Sequence, residues 1–166
     1  VIPFRTEEEM LLKYLELYEY INPSIVTGWN IDYFDTPYLY NRIVKLLGKK
    51  QASRLSPIGE CFWSPYRKRY FMAGVSYLDY ISLYKNYNYG ELDSYRLDSI
   101  AQRELGRKKI EYDGNLDILF ETDIEKFIEY NLVDVELVVE FDKKLQFIDT
   151  ARGICHAGHV PYEDFV

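Results

Sequence analysis

This sequence has few cysteines, no long apolar run and no excess of positive charge. Its 166 residues contain two cysteines, Cys61 and Cys155, and neither belongs to a CxxC pair. Two isolated cysteines favour a reducing compartment over a disulfide framework or a zinc site. No apolar run approaches the roughly 20 residues of a membrane-spanning helix, and no signal peptide is recognisable, so we expect no membrane partner.

The net charge of −7 weighs against a simple binder of polyanions. It does not exclude an enzyme that acts on nucleic acid, because such enzymes gather carboxylates around divalent metal, which then supplies positive charge. Basic residues cluster at positions 45–50, 67–69 and 103–109. Each cluster is open to two interpretations, a phosphate contact or a solvated helix end or turn.

Length and composition are those of one globular domain, with 48% hydrophobic and 28% charged residues. The 17 tyrosines and 9 phenylalanines could stack on bases, although half-buried packing is the commoner use of such side chains. The first residue is Val rather than Met. We therefore expect a segment of a longer protein.

Local signals in the first half predict helices alternating with short strands. Thr6 and Glu9 form a capping box, so a helix should follow and end at residues 22–23. Residues 25–29 are short and β-rich, typical of a buried strand. Asp35 or Thr36 is expected to cap a second helix.

Gly48 should close that second helix, and residues 49–60 are interpreted as a polar connection. Residues 61–63 and 70–72 flank a basic stretch, which predicts a β-hairpin with a basic tip. Residues 75–83 are a further strand candidate that contains Asp79.

The second half predicts mainly helix. A short helix should start at Ser94 or Asp98 and end at Gly106, and residues 113–115 form a turn signal. A second capping box spans residues 122–125. The helix after it is expected to present one apolar face made of Ile124, Phe127, Ile128, Leu132, Val135, Val138, Val139, Leu145 and Ile148.

The last residues, 153–166, show no clear period. Cys155, His156 and His159 could form a metal cluster, but a fourth partner is lacking and a surface loop is the better interpretation. Taken together, the elements predict an α/β or α+β domain with helices packed on a sheet.

One candidate for chemistry lies on the long helix. Tyr130 and Asp134 are four residues apart and share one helix face. A carboxylate there could bind a hard cation, and a phenol one turn earlier could hydrogen-bond a water beside it. An exposed polar pair at this spacing is the alternative, and on spacing alone the commoner one.

A second candidate lies where the first strand ends. Asp35 could simply be an N-cap. Its neighbours favour a site, because open α/β sheets bind ligands at strand ends. Asn30 offers a donor and an acceptor, and Phe34 offers a stacking face.

These segments resemble the second and third exonuclease motifs of family B DNA polymerases, especially those of T-even-type phages. The second motif region covers residues 25–48, including Asp-Thr-Pro-Tyr at 35–38 and Asn-Arg at 41–42. The third is Tyr-Asn-Leu-Val-Asp-Val-Glu at 130–136. The similarity continues in order through residues 55–59, 75–80, 84–85, 94–101 and 112–114.

The resemblance implies an RNase H-like (DnaQ-like) exonuclease fold, with a mixed sheet flanked by helices and a β-hairpin insertion at about residues 60–73. Residues 1–152 would be a partial 3′→5′ exonuclease domain, and residues 153–166 the start of the connection to the next polymerase domain. The implied activity is proofreading, the removal of mispaired nucleotides from a primer 3′ end with two Mg²⁺ or Mn²⁺ ions.

The resemblance also implies roles for individual residues. Asp134 would bind metal directly, Asp35 would act at the metal site directly or through water, and Tyr130 would orient the attacking water. Asn30 and Phe34 would lie beside the terminal nucleotide. The hairpin's Arg67, Lys68 and Arg69 would contact nucleic acid, with a solvated turn as the alternative.

One family feature is missing. Members carry Asp-x-Glu on a first strand, and nothing in residues 1–24 matches it, since Glu7, Glu8 and Glu9 start a helix. We therefore expect the first strands of the sheet to be absent, and the isolated chain to hydrolyse little or no DNA. The sheet edge they would cover invites self-association.

The expected partners are primer DNA and the remainder of a polymerase, in the cytoplasm of a bacterium or a phage-infected bacterial cell. A non-catalytic DNA-binding or assembly module is the alternative. A nuclease of the same fold unrelated to replication ranks last.

Overall fold

The computed structural model describes residues 1–88, 90–107 and 116–164, so the predicted turn at 113–115 lies outside the described residues. Two compact units make up the chain. The first comprises residues 1–79 together with 161–164, and the second comprises residues 80–160.

The first unit contains both pairs of strands. Its helices are α1 (Glu7–Ile21), α2 (Asp35–Leu47) and α3 (Lys49–Ala52), and its strands are β1 (Ile25–Gly28), β2 (Cys61–Ser64), β3 (Arg69–Met72) and β4 (Ser76–Asp79). Single 3₁₀ turns form at Ser53–Leu55 and Tyr162–Asp164. β1 pairs with β4 in parallel, so that Gly28 lies opposite Asp79. β2 and β3 form an antiparallel hairpin with Cys61 opposite Met72.

Local chemistry accounts for α1. The Thr6 hydroxyl accepts a 3.2 Å hydrogen bond from the Glu9 backbone N–H, which satisfies one free donor of the first turn. Asn22 ends the helix in a left-handed conformation. The helix buries one face in a core that consists of Leu11, Leu15, Tyr18, Tyr40, Ile43, Ala52, Leu55, Met72 and Val75.

The second unit contains helices and no strands within its described residues. It contains α4 (Tyr80–Tyr87), α5 (Leu97–Leu105), α6 (Leu116–Thr122), α7 (Ile124–Leu145) and α8 (Phe147–Gly158). Asp123 caps α7 by accepting a 3.0 Å hydrogen bond from the Lys126 N–H. Gln146, at φ 54°, separates α7 from α8.

Several predicted elements need correction. The connection at 49–60 contains α3, and the strand predicted over 75–83 ends at Asp79, where α4 begins. Cys155 and His156 were predicted to lie in a surface loop, but both belong to helix α8. The cap of α7 is Asp123 rather than Thr122.

The class of structure is a mixture of helices and short strands. In the part of the chain that the structure describes, each of the two sheets has two strands. No helix there is long and apolar enough to cross a membrane. The predicted hairpin is confirmed.

Candidate functional site

The loop that follows β1 is held by a buried carboxylate at the end of β4. Asp79 is fully buried. Its two oxygens accept hydrogen bonds from the backbone N–H groups of Asn30 (2.8 Å) and Asp32 (3.3 Å). Gly28 begins the turn, and a Cβ there would lie 2.4 Å from Cγ2 of Ile31, so the close approach requires glycine. The loop is therefore fixed at the carboxyl end of two parallel strands.

Asp35 does not cap α2. The N-cap position belongs to Phe34, which makes no side-chain capping hydrogen bond, and Asp35 is the first residue of the helix. The prediction of Asp35 or Thr36 as the cap is therefore wrong. Asp35 stays exposed, and Phe34 is 68% exposed. Desolvation by neighbouring atoms raises the pKa of Asp35, against the lowering effect of its own backbone N–H.

The three basic residues of the hairpin differ in their surroundings. Arg67 donates a 2.8 Å hydrogen bond to Oδ1 of Asp164. Lys68 is exposed at the turn, with φ 51°. Arg69 is buried at the start of β3, which differs from the exposed basic tip that the sequence predicts. Its burial follows from a partner that the sequence did not reveal, the carboxylate of Asp32.

The Asp32–Arg69 ion pair lies inside the first unit. Nη1 of Arg69 donates a 2.8 Å hydrogen bond to Oδ2 of Asp32. The two residues are 7% and 4% exposed. Burial raises the pKa of Asp32, and Arg69 acts in the opposite direction.

Tyr130 and Asp134 lie on the inward side of α7. Tyr130 is buried and Asp134 is half-buried. They share a face of the helix with the buried residues Leu137, Val138 and Phe141. The exposed polar pair considered as the alternative is not what forms.

The predicted apolar face of α7 also needs correction, because several of its residues are exposed. Four of its members lie at 46–65% exposure, and these are Ile124, Leu132, Val135 and Val139. Apolar residues occur around most of this helix, so the sequence does not distinguish its buried face from its exposed one.

The structure thus places Asn30 and Phe34 on one loop with Asp35 directly after it at the start of α2, and Tyr130 and Asp134 on one helix face. Two features were not predicted, the anchoring of the loop by Asp79 and the ion pair between Asp32 and Arg69. Asp79 stands at the end of an apolar strand, which is a usable signal for a residue at a site. Asp32 and Arg69 are 37 residues apart and carry no such signal.

The described residues do not assemble a metal site by themselves. Within residues 1–88, 90–107 and 116–164, no three His, Cys, Asp or Glu side chains lie together as a group that could hold a metal ion. A single carboxylate, whether Asp35 or Asp134, supplies fewer ligands than a catalytic Mg²⁺ or Mn²⁺ ion normally takes from protein and substrate together.

Comparison with known proteins identifies the family of this chain. The DNA-directed DNA polymerase of Enterobacteria phage T4 is 40% identical over 167 residues, which is 97% of this chain and 19% of that protein. The DNA-directed DNA polymerase of Escherichia phage RB69 is 40% identical over 156 residues, which is 89% of this chain and 17% of that protein. DNA polymerase 1 of Saccharolobus solfataricus is 33% identical over 147 residues, which is 82% of this chain and 15% of that protein.

This chain therefore spans less than a fifth of the length of these relatives. Residues 1–100 match the family described as DNA polymerase family B, exonuclease domain. The family predicted from the motifs is confirmed, and the chain belongs to the exonuclease domain family of the family B DNA polymerases.

Proposed function

We propose that this chain is part of a DNA-directed DNA polymerase and contributes to proofreading by 3′→5′ removal of nucleotides from a primer end. The single observation that carries this proposal is the state of Asp35. It is an exposed carboxylate at the first position of α2, free of any capping role, and it follows the exposed ring of Phe34 at the end of a loop that is fixed at a strand end. Strand ends of this kind are where α/β folds bind ligands.

Asn30 and Phe34 would receive the terminal nucleotide. Asn30 is exposed, and its backbone is fixed by Asp79, so its amide can hydrogen-bond a sugar or base edge from a constant position. The exposed ring of Phe34 offers a surface on which a base can stack. Stacking on Phe34 and a hydrogen bond from Asn30 to the sugar would both tolerate any base, as proofreading requires.

Asp35 and Asp134 would bind Mg²⁺ or Mn²⁺, and an Asp-x-Glu strand would supply further ligands. In a two-metal site the ions activate a water and stabilise the leaving oxygen. Tyr130 would orient the attacking water through its hydroxyl. Because Tyr130 is buried and Asp134 half-buried, packing would limit the positions that either side chain can take.

The fold that suits this role is the RNase H-like exonuclease fold, with the hairpin β2–β3 as an insertion. Residues 1–152 would form the partial exonuclease domain, and residues 153–166 would start the connection to the next domain. Lys68 and Arg67 would approach DNA at the hairpin tip. The partners would be the primer 3′ end and the rest of the polymerase, in the cytoplasm of a bacterial host.

A second candidate function is a DNA-binding or assembly module without catalysis. The lack of a three-ligand group among the described residues favours it for the chain alone. In the described part of the chain β1 and β4 pair only with each other, which leaves strand edges for self-association or for a further strand.

Degradation of a 5′-labelled primer with a mismatched 3′ end, in Mn²⁺, tests the proposal. The chain is assayed with and without a separately made segment that carries the Asp-x-Glu strand. We expect hydrolysis only with the segment, and a loss of roughly 10²-fold or more in Asp134→Ala. Glu129→Ala, an exposed acid on the same helix, serves as the control and should keep full activity.

No hydrolysis in any combination, with the complex of chain and segment shown to form, would overturn the catalytic proposal. The binding module would then be the better account.

A further inference from the structure

We infer that the buried ion pair between Asp32 and Arg69 is a positioning device, which sets the loop at residues 29–34 relative to the β2–β3 hairpin. The inference concerns two residues that have no role in the proposed chemistry. Its consequence for DNA binding rests on the proposed function, but the coupling between loop and hairpin does not.

Arg69 is the hydrogen-bond partner that holds the buried carboxylate of Asp32. One of its oxygens, Oδ2, accepts the 2.8 Å hydrogen bond from Arg69. The other, Oδ1, is buried and has no hydrogen-bond partner within the described residues. A buried charge with a single partner is held by that partner alone, so the loop at Asp32 must follow the guanidinium.

Arg69 in turn is fixed to the hairpin and to residues beyond it. Its guanidinium lies 5.0 Å from the centre of the Phe71 ring. Its Nη2 donates a 3.5 Å hydrogen bond to the carbonyl of Glu163. Its backbone pairs with Ser64 across the hairpin. The charge is therefore held from several sides, and a shift of the hairpin would move it.

Asp79 is a further anchor of the loop, because its carboxylate accepts hydrogen bonds from the backbone N–H groups of Asn30 and Asp32. Asp79 fixes the first part of the loop to the sheet, and Arg69 fixes the side chain of Asp32 to the hairpin. Phe34 and Asp35 follow directly. The position of the hairpin therefore influences the residues proposed to receive the primer end.

Hydrogen exchange on the complete chain tests the coupling directly. Arg69→Gln removes the charge from the hairpin, and Asp32→Asn removes it from the loop. We expect Arg69→Gln to speed exchange of the amides in residues 30–34 by about tenfold. Asp32→Asn should speed exchange in residues 64–69 by a similar factor, because the coupling is reciprocal.

Arg54→Gln is the matched control, since it breaks the exposed pair between Arg54 and Glu19 in the same unit. It should leave both segments unchanged. The amides around Ile43 in α2 report global opening and should also stay unchanged. If Arg69→Gln fails to fold, Arg69→Lys keeps the charge without the planar fork and should give a smaller rise in the loop.

Unchanged exchange in residues 30–34, or an equal rise in the loop and at Ile43, would overturn the inference. A second experiment measures binding of a single-stranded oligonucleotide with 2-aminopurine at its 3′ end, by fluorescence and without divalent metal. Arg69→Gln should weaken its binding about tenfold and Arg54→Gln should not. Failure of the unsubstituted chain to bind would count against the proposed function, while hydrogen exchange still decides the coupling.

Discussion

Oδ1 of Asp79 accepts a 2.8 Å hydrogen bond from the backbone N–H of Asn30, 49 residues earlier in the chain. Oδ2 of the same carboxylate accepts a hydrogen bond from the backbone N–H of Asp32. One buried side chain therefore satisfies two backbone donors of this loop. Asp79→Asn would put an amide NH₂ against one of these N–H groups. We expect it to lower the free energy of unfolding by about 2–3 kcal/mol, measured by urea denaturation.

Asp117→Asn is the control for this substitution, because Asp117 is exposed on α6. It should change the free energy of unfolding by less than about 0.5 kcal/mol. Equal stability of Asp79→Asn and the parent chain would mean that the loop is not held by this carboxylate.

Gly28 is required by a close contact rather than by its backbone angle. An added Cβ would lie 2.4 Å from Cγ2 of Ile31, a buried and β-branched side chain that cannot easily turn away. Gly28→Ala should therefore destabilise the chain by about 1–3 kcal/mol in thermal or urea unfolding. Gly153→Ala, in α8 with no atom within 4 Å of the added Cβ, should instead stabilise it by about 0.5–1 kcal/mol.

Glu104 should contribute stability that depends on pH. Burial acts to raise the pKa of its carboxyl, but hydrogen bonds from Tyr84 (2.7 Å) and Lys144 (3.3 Å) outweigh burial and lower it. Because the pKa of Glu104 is lower in the folded state than in the unfolded state, the ionised carboxylate stabilises the fold. This stabilisation is complete above pH 4.5, the usual pKa of the group, and is lost as the pH falls through the pKa of the folded state.

Glu104→Gln should thus cost about 1–2 kcal/mol at pH 7, and the difference from the parent chain should shrink below about pH 4.5. Urea denaturation at several pH values measures this, with Glu129→Gln as the exposed control. A difference that stays constant down to pH 3 would contradict the account.

The thiol of Cys61 should be unreactive in the folded chain. Its burial raises the pKa from 9.0 to about 11. In Cys155→Ala, which leaves Cys61 as the one thiol, native protein at pH 8 should react with Ellman's reagent about a hundredfold more slowly than unfolded protein. The native rate should keep rising with pH up to about 11, and a plateau near pH 9 would count against this pKa.

Elements with strong local signals could be predicted from the sequence. Thr6 and Asn22 set the two ends of α1, and Gly48 ends α2, because each of these residues satisfies or terminates a helix by its own chemistry. The hairpin follows from two β-rich runs around a turn. The motif residues of the candidate site were predicted through the family resemblance.

Features that depend on distant contacts could not be predicted. Arg69 is basic and lies beside a turn, which suggests an exposed tip until Asp32 is known to lie against it. The buried side of α7 is chosen by its neighbours, and Val135 ends up exposed although its chemistry matches that of buried Val138. Gln146 breaks the helix without Gly or Pro, through a left-handed conformation that the sequence does not announce.

We propose that Asp35 and Asp134 are metal-binding carboxylates of a proofreading exonuclease. The most direct test counts bound Mn²⁺ by electron paramagnetic resonance, with the Asp-x-Glu segment present. We expect about two ions per complex, fewer in both Asp35→Asn and Asp134→Asn, and no change in Asp117→Asn. Mn²⁺ binding that is the same in the parent complex and in both site variants would contradict the claim.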